Sequence, residues 1–188
     1  DMTAERGSQM GMVFQDPMSS LDPLRRIGGE VAETLRLRGI SRRDARLRAL
    51  AVLDELRVDR AVDRLDSYPH EFSGGMRQRV VLAMALVGDP EVLIADEPTT
   101  ALDGRVQERV LDLLDEISRT RELAVLLITH DMGIVAGFAA RVLVMYSGHI
   151  IEENRADDLF RAPRHPYTVG LLEAVPRVDR TVARLSSI

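Results

Sequence analysis

The chain has 188 residues, 45% hydrophobic and 29% charged, with 30 acidic and 25 basic side chains and a formal net charge of −5. That composition can bury a core and fits one domain with an appendage, while the acidic balance argues against a general binder of nucleic acid or anionic membrane. There is no Cys, which excludes disulfides, thiol catalysis, cysteine zinc sites and iron–sulfur ligation; every basic residue is Arg, so no lysine of these residues can form a Schiff base or grip a phosphate.

No apolar run approaches the ~18 residues that argue a membrane span. Asp1 to Arg6 carries no signal-like apolar stretch, so a soluble cytoplasmic protein is the expectation. Residues 11–14 read as a short buried strand. Gln15-Asp16-Pro17 and Ser19 to Pro23 follow as a turn-rich loop. From Leu24 to Gly88 the pattern is mostly helical. Ile27, Val31 and Leu35 mark a first helix. Ser41 is the expected N-cap of a second helix reaching Arg57, with Leu47, Leu50, Leu53 and Leu56 on one face. A third helix runs from Gly74 to Gly88.

The period then changes. Glu91 to Ala95 is a continuous apolar strand ending in Asp96-Glu97-Pro98. Arg105 to Thr120 is an amphipathic helix with Val106, Val110, Leu113, Leu114 and Ile117 inward. Leu123 to Ile128 reads as a second buried strand, ending at Thr129-His130-Asp131. After a short helix, Arg141–Tyr146 and His149–Glu152 flank Ser147-Gly148 as a hairpin. The tail from Ala156 is two helical pieces broken by Pro163, Pro166 and Pro176. Apolar strands alternating with helices predict an α/β fold with a parallel sheet covered on both faces.

Such sheets place their sites at the carboxyl ends of the strands. Gln15, the pair Asp96-Glu97, and His130 all fall there. Each alone has an ordinary structural reading as a loop residue, a helix cap or a satisfied histidine. Together their chemistry agrees. Asp96 supplies a hard oxygen for Mg²⁺, and Glu97, one residue on, points elsewhere and can orient or deprotonate a water. The Gln15 amide can meet the metal or the water. His130 can hydrogen-bond a transferring phosphoryl group. These are the metal-and-water half of a nucleotide hydrolase. A further cluster, Phe72-Ser73-Gly74-Gly75-Met76, opens a helix whose bare N–H groups a phosphate can approach.

The order of these clusters resembles the ATP-binding cassette (ABC) ATPases. Gln15 matches the Q-loop, Phe72 to Met76 the signature, Val92 to Glu97 Walker B, Ala101-Leu102-Asp103 the D-loop, and His130 the switch histidine. Phe-Ser-Gly-Gly-Met-Arg-Gln-Arg, Phe14 to Pro17 and Arg164-His165-Pro166-Tyr167-Thr168 narrow the resemblance to the ATPase subunits of oligopeptide, dipeptide and nickel importers. The resemblance implies a P-loop NTPase (RecA-like) sheet lacking its P-loop strand. Residues 1–16 and 89–155 would be the core, 17–88 an inserted helical signature subdomain, and 156–188 a C-terminal extension. It implies ATP and Mg²⁺, with Glu97, His130 and Gln15 catalytic and Asp96 and Gln15 on the metal. Ser73, Gly74, Gly75 and Met76 would touch the nucleotide of a second ATPase subunit in a head-to-tail dimer, and Asp103 would be the aspartate of the D-loop. Membrane permease subunits would dock on the Gln15–Pro23 loop and the helical subdomain at the cytoplasmic face of the membrane. An extracytoplasmic solute-binding protein would act indirectly, and no nucleic acid is implied.

Three departures stand out. Met76 replaces the Gln common in the wider superfamily. Gly104 follows Asp103 where a β-branched residue is usual. No Gly-x-x-x-x-Gly-Lys-Ser/Thr occurs. The resemblance therefore implies that this chain alone neither holds ATP tightly nor hydrolyses it, and that its sheet has an open edge and an apolar surface prone to self-association. A catalytically inert interaction module of the same fold is the alternative. An ABC protein of DNA repair fits less well, because the insert lacks heptads and Cys.

Overall fold

A computed structural model describes residues 9–16, 20–100 and 102–174. Part of the Gln15–Pro23 loop (17–19), Ala101 of the D-loop and the tail beyond 174, with Pro176, lie outside the described residues. The chain divides into two compact units, Asp1–Ile128 and Thr129–Ile188.

The first unit is built on a parallel sheet in the order β1 (Met10–Val13), β2 (Val92–Asp96), β3 (Ala124–Ile128). Met12 sits in register with Ile94, and Ile94 with Leu126. A helical layer is inserted between β1 and β2. It holds α1 (Ile27–Leu37), α2 (Arg42–Glu55), the short α3 (Ala61–Arg64), a 3₁₀ turn at Pro69–Glu71 and α4 (Gly74–Leu86). The crossover from β2 to β3 is α5 (Gly104–Thr120). The sheet and its helices bear out the expected P-loop NTPase-type α/β architecture. The short α3 and the 3₁₀ turn carry too few periodic positions to be legible in sequence.

Local chemistry sets the boundaries. Gly39, at φ 81, ends α1: its N–H donates to the Arg36 carbonyl and that of Ile40 to the Leu35 carbonyl. That pair of bonds is a Schellman motif, and glycine reaches the left-handed conformation without steric cost. Ser41 caps α2 as expected, its Oγ accepting from the Asp44 N–H at 3.1 Å.

The buried face of α2 differs from the expectation. Ala45, Ala49, Val52 and Leu53 are buried along α2, and Leu56 just beyond it, whereas Leu47 is 57% exposed. The reason is geometric. Leucines spaced by three advance about 300° per step, so Leu47 and Leu56 point in opposite directions.

One face of the sheet is sealed. Val13, Leu93 and Ala95 are fully buried, and α4 packs on β1, α1, α2 and α5. A methyl group on Gly11 would stand 2.5 Å from the Ala85 carbonyl oxygen, so the β1–α4 contact requires glycine. Arg121, just past α5, donates from Nε to Glu55 at 2.9 Å and from Nη1 to the Leu86 carbonyl at 3.0 Å. One side chain thereby ties the ends of three helices. The other face corrects the expectation of a strand buried on both sides. Leu126 and Ile128 of β3 are 48% and 46% exposed, and Met12 of β1 is 45% exposed. Among the described residues β1 and β3 each pair with β2 alone, so both are edge strands.

The second unit pairs β4 (Arg141–Tyr146) with β5 (His149–Arg155) as an antiparallel hairpin, preceded by α6 (Met132–Phe138) and followed by α7 (Ala156–Arg161) and α8 (Pro166–Glu173). Ser147 (φ 47) and Gly148 (φ 80) both occupy the positive-φ region that a tight hairpin turn demands. Its core gathers Val135, Val142, Val144, Ala156 and Leu159. Glu152 accepts from the N–H groups of Arg164 (2.8 Å) and His165 (2.9 Å), and His165 Nδ1 accepts from the Tyr167 N–H. These bonds fix the start of α8, where Pro166 occupies the first turn and has no N–H to satisfy.

Candidate functional site

β1 and β2 are neighbours and parallel, so the residues just beyond their carboxyl ends meet. Gln15 lies two residues past β1 and Glu97 one past β2. Although 82 positions separate them, Gln15 Nε2 donates to Glu97 Oε2 at 2.8 Å. Asp96, the last residue of β2, is half-buried and in register with Ile128, which puts it on the sheet's open face.

Glu97 is held from several directions. Its backbone sits in the left-handed region at φ 45, a conformation that a non-glycine residue keeps only when its surroundings impose it. Its N–H donates to the Ile128 carbonyl at 2.9 Å, one rung beyond the β2–β3 ladder, and its carbonyl accepts from the Thr100 N–H at 3.1 Å. The Thr100 hydroxyl donates to Glu97 Oε2 at 2.9 Å, the same oxygen that Gln15 uses. Sequence reading passed over Thr100. Its signal was a hydroxyl three residues after an acid, across a turn with Pro at the second position, where proline's fixed φ fits.

A second group forms at the start of α4. Ser73 is the N-cap, its Oγ accepting from the Met76 N–H at a long 3.4 Å. The two glycines lie against the segment that opens α5. A Cβ on Gly74 would stand 3.6 Å from Leu102, and one on Gly75 would stand 2.5 Å from Val106 Cγ1. Gly75 is therefore also a packing requirement between α4 and α5. Asp103 caps α5, accepting from the Val106 N–H at 3.0 Å. Signature and D-loop thus adjoin. Gly104 is in open space.

His130 is exposed, two residues past the end of β3, in the second unit. Its neighbour Asp131 caps α6 through the Gly133 N–H at 2.8 Å. Among the described residues no three or more His, Asp or Glu converge as a metal cage. The oxygens near the strand ends are those of two carboxylates, Asp96 and Glu97, and of the Gln15 amide. That donor set fits Mg²⁺, which takes one or two protein oxygens and completes its octahedron with phosphate and water.

A protein-family model described as ABC transporter matches residues 1–100. The chain belongs to the ABC transporter family. A second model, described as oligopeptide/dipeptide transporter, C-terminal region, matches residues 151–188. The chain is 49% identical to the dipeptide transport ATP-binding protein DppD of Lactococcus lactis subsp. cremoris, over 97% of the chain and 53% of the relative. It is 48% identical to the oligopeptide transport ATP-binding protein OppD of Salmonella typhimurium, over 100% of the chain and 56% of the relative. The chain thus spans about half the length of the curated ABC relatives it matches. Among solved structures, the dimeric post-hydrolysis state of the ATP-binding cassette MJ0796, bound to ADP and Pi, superposes with a TM-score of 0.71 at 28% identity, covering 82% of this chain and 66% of that one. CbiO1 from Clostridium perfringens, part of the ABC transporter complex cbiONQ, gives 0.74 at 29% identity, covering 84% and 61%.

Proposed function

We propose that the chain works as the ATP-hydrolysing subunit of an importer for peptides or related solutes, converting ATP and water to ADP and phosphate, and that its strand-end residues form the metal-and-water half of the site. The observation that carries this reading is the Gln15–Glu97 hydrogen bond of 2.8 Å beside Asp96. Asp96 and Gln15 would hold Mg²⁺, which, when bound, neutralises charge on the phosphates. Glu97 takes a proton from the attacking water, and His130 hydrogen-bonds the transferring phosphoryl group. In a head-to-tail dimer Ser73, Gly74, Gly75 and Met76 meet the triphosphate held by a second subunit, with Asp103 alongside.

Residues 1–16 and 89–155 serve as core, 17–88 as helical signature subdomain, and 156–188 as extension. A permease docks at the Gln15–Pro23 loop, on the cytoplasmic face of the membrane, and a solute-binding protein acts through that permease. Support comes from a cavity of about 490 Å³ beside this loop, lined among others by Phe14, Ser20, Thr34, Val81 and Met84. No helix among the described residues is long and apolar enough to cross a membrane. No lysine is present to grip the phosphates, and several charge-assisted bonds at ~1.5–3 kcal/mol each are a large share of the ~8 kcal/mol behind a micromolar site. We expect the isolated chain to bind ATP weakly.

The decisive experiment compares wild type and Glu97→Gln in the native ATPase complex. Hydrolysis falls roughly 10²–10⁴-fold, the usual worth of a general base, while nucleotide binding persists. Equal rates would remove Glu97 from the chemistry and leave the inert-module reading.

A further inference from the structure

We infer that Thr100 is a positioning residue for Glu97: its hydroxyl and the Gln15 amide close on one carboxylate oxygen and fix the direction in which that carboxylate meets water. This rests on Glu97 acting as the base in the proposed reaction. The geometry is specific. Thr100 reaches Glu97 twice, through its N–H to the Glu97 carbonyl at 3.1 Å and through Oγ1 to Oε2 at 2.9 Å. Gln15 Nε2 meets the same Oε2 at 2.8 Å from the neighbouring strand end.

A glutamate side chain has three rotatable bonds, and a base that wanders loses most of its advantage. Two donors on one oxygen stop that rotation, and they come from opposite sides of the chain's topology. Gln15 arrives on a loop and is exposed, whereas Thr100 is half-buried on the turn that Glu97 itself begins. Thr100 is therefore the local half of the clamp, three residues from the carboxylate, and Gln15 the long-range half, brought in from the end of β1.

Thr100→Val removes the hydroxyl at nearly constant shape, and Thr100→Ser restores it. In the native ATPase complex, Thr100→Val is expected to lower kcat roughly tenfold with KM for ATP unchanged, since one hydrogen bond to a charged group is lost, and Thr100→Ser to recover most of it. In the 188-residue chain, labelled on glutamine nitrogen, Thr100→Val is expected to shift the Gln15 carboxamide resonances, and Thr100→Ser to return them. A merely structural threonine would alter melting but neither the kcat–KM split nor that amide. Thr100→Val with wild-type kcat, alongside a Glu97→Gln variant that is inactive, overturns the inference. Glu97→Gln with wild-type hydrolysis overturns the function on which it rests, whereas the Gln15 resonances still report whether Thr100 grips the carboxylate.

Discussion

Gly75 illustrates how one residue serves two demands. Sequence reasoning assigns it to close approach of a phosphate, but the nearest atom to its missing side chain is Val106 Cγ1, 2.5 Å from a would-be Cβ. Gly75→Ala should therefore destabilise the fold by about 1–3 kcal/mol through overpacking, read by chemical denaturation, and Val106→Ala in the same chain should recover most of that loss. A phosphate-only role would give an Ala variant of wild-type stability. Gln15, Asp96 and Glu97 were legible as a group because strand ends are recognisable in an apolar pattern and parallel neighbours must bring them together. Thr100 was not. Its part depends on a turn folding its hydroxyl back on Glu97, and no periodicity reports that. The positive φ of Glu97 was equally hidden, because nothing in the residue type asks for it.

The helices show the same division between what spacing encodes and what it does not. The starts of α2 and α4 were predictable because Ser41 and Ser73 precede periodic runs. The burial of α2 was misjudged by counting leucines instead of angles. Leu47→Glu should change stability by no more than about 0.5 kcal/mol, whereas Leu53→Ala should cost about 2–5 kcal/mol, both measured by urea unfolding. Arg121 had no sequence signal at all. It is 18% exposed, and it pairs with Glu55 and the Leu86 carbonyl across distant parts of the chain. Arg121→Met should lower stability by about 1.5–3 kcal/mol, the value of hydrogen bonds to charged groups, with the loss visible as faster amide exchange at the end of α2.

Two features of the molecule govern its behaviour in solution. Burial pushes the Glu152 carboxyl up, but the Thr168 hydroxyl close by and the N–H groups of Arg164 and His165 outweigh it, so it titrates below its ordinary 4.5. An acid whose folded value is depressed lends stability that is complete above the unfolded value and is lost as pH falls through the folded one. Melting of the second unit should thus decline as the pH drops below about 4.5, and Glu152→Gln should flatten that limb while lowering the melting temperature at neutral pH. The open sheet face carries Met12, Leu126 and Ile128, each nearly half exposed. Sedimentation should show association that rises with concentration and weakens in a Leu126→Glu variant. The long reach between β1 and β2 has a kinetic meaning as well. Strands so far apart in the chain cannot zip from a local turn, because the loop to be closed contains the whole helical layer. The helices must condense first and present a docking surface, so pulse-labelled amides of α1 and α4 should gain protection before those of Met10–Val13. The pair that places Gln15 on Glu97 is then among the last contacts a newly made chain acquires.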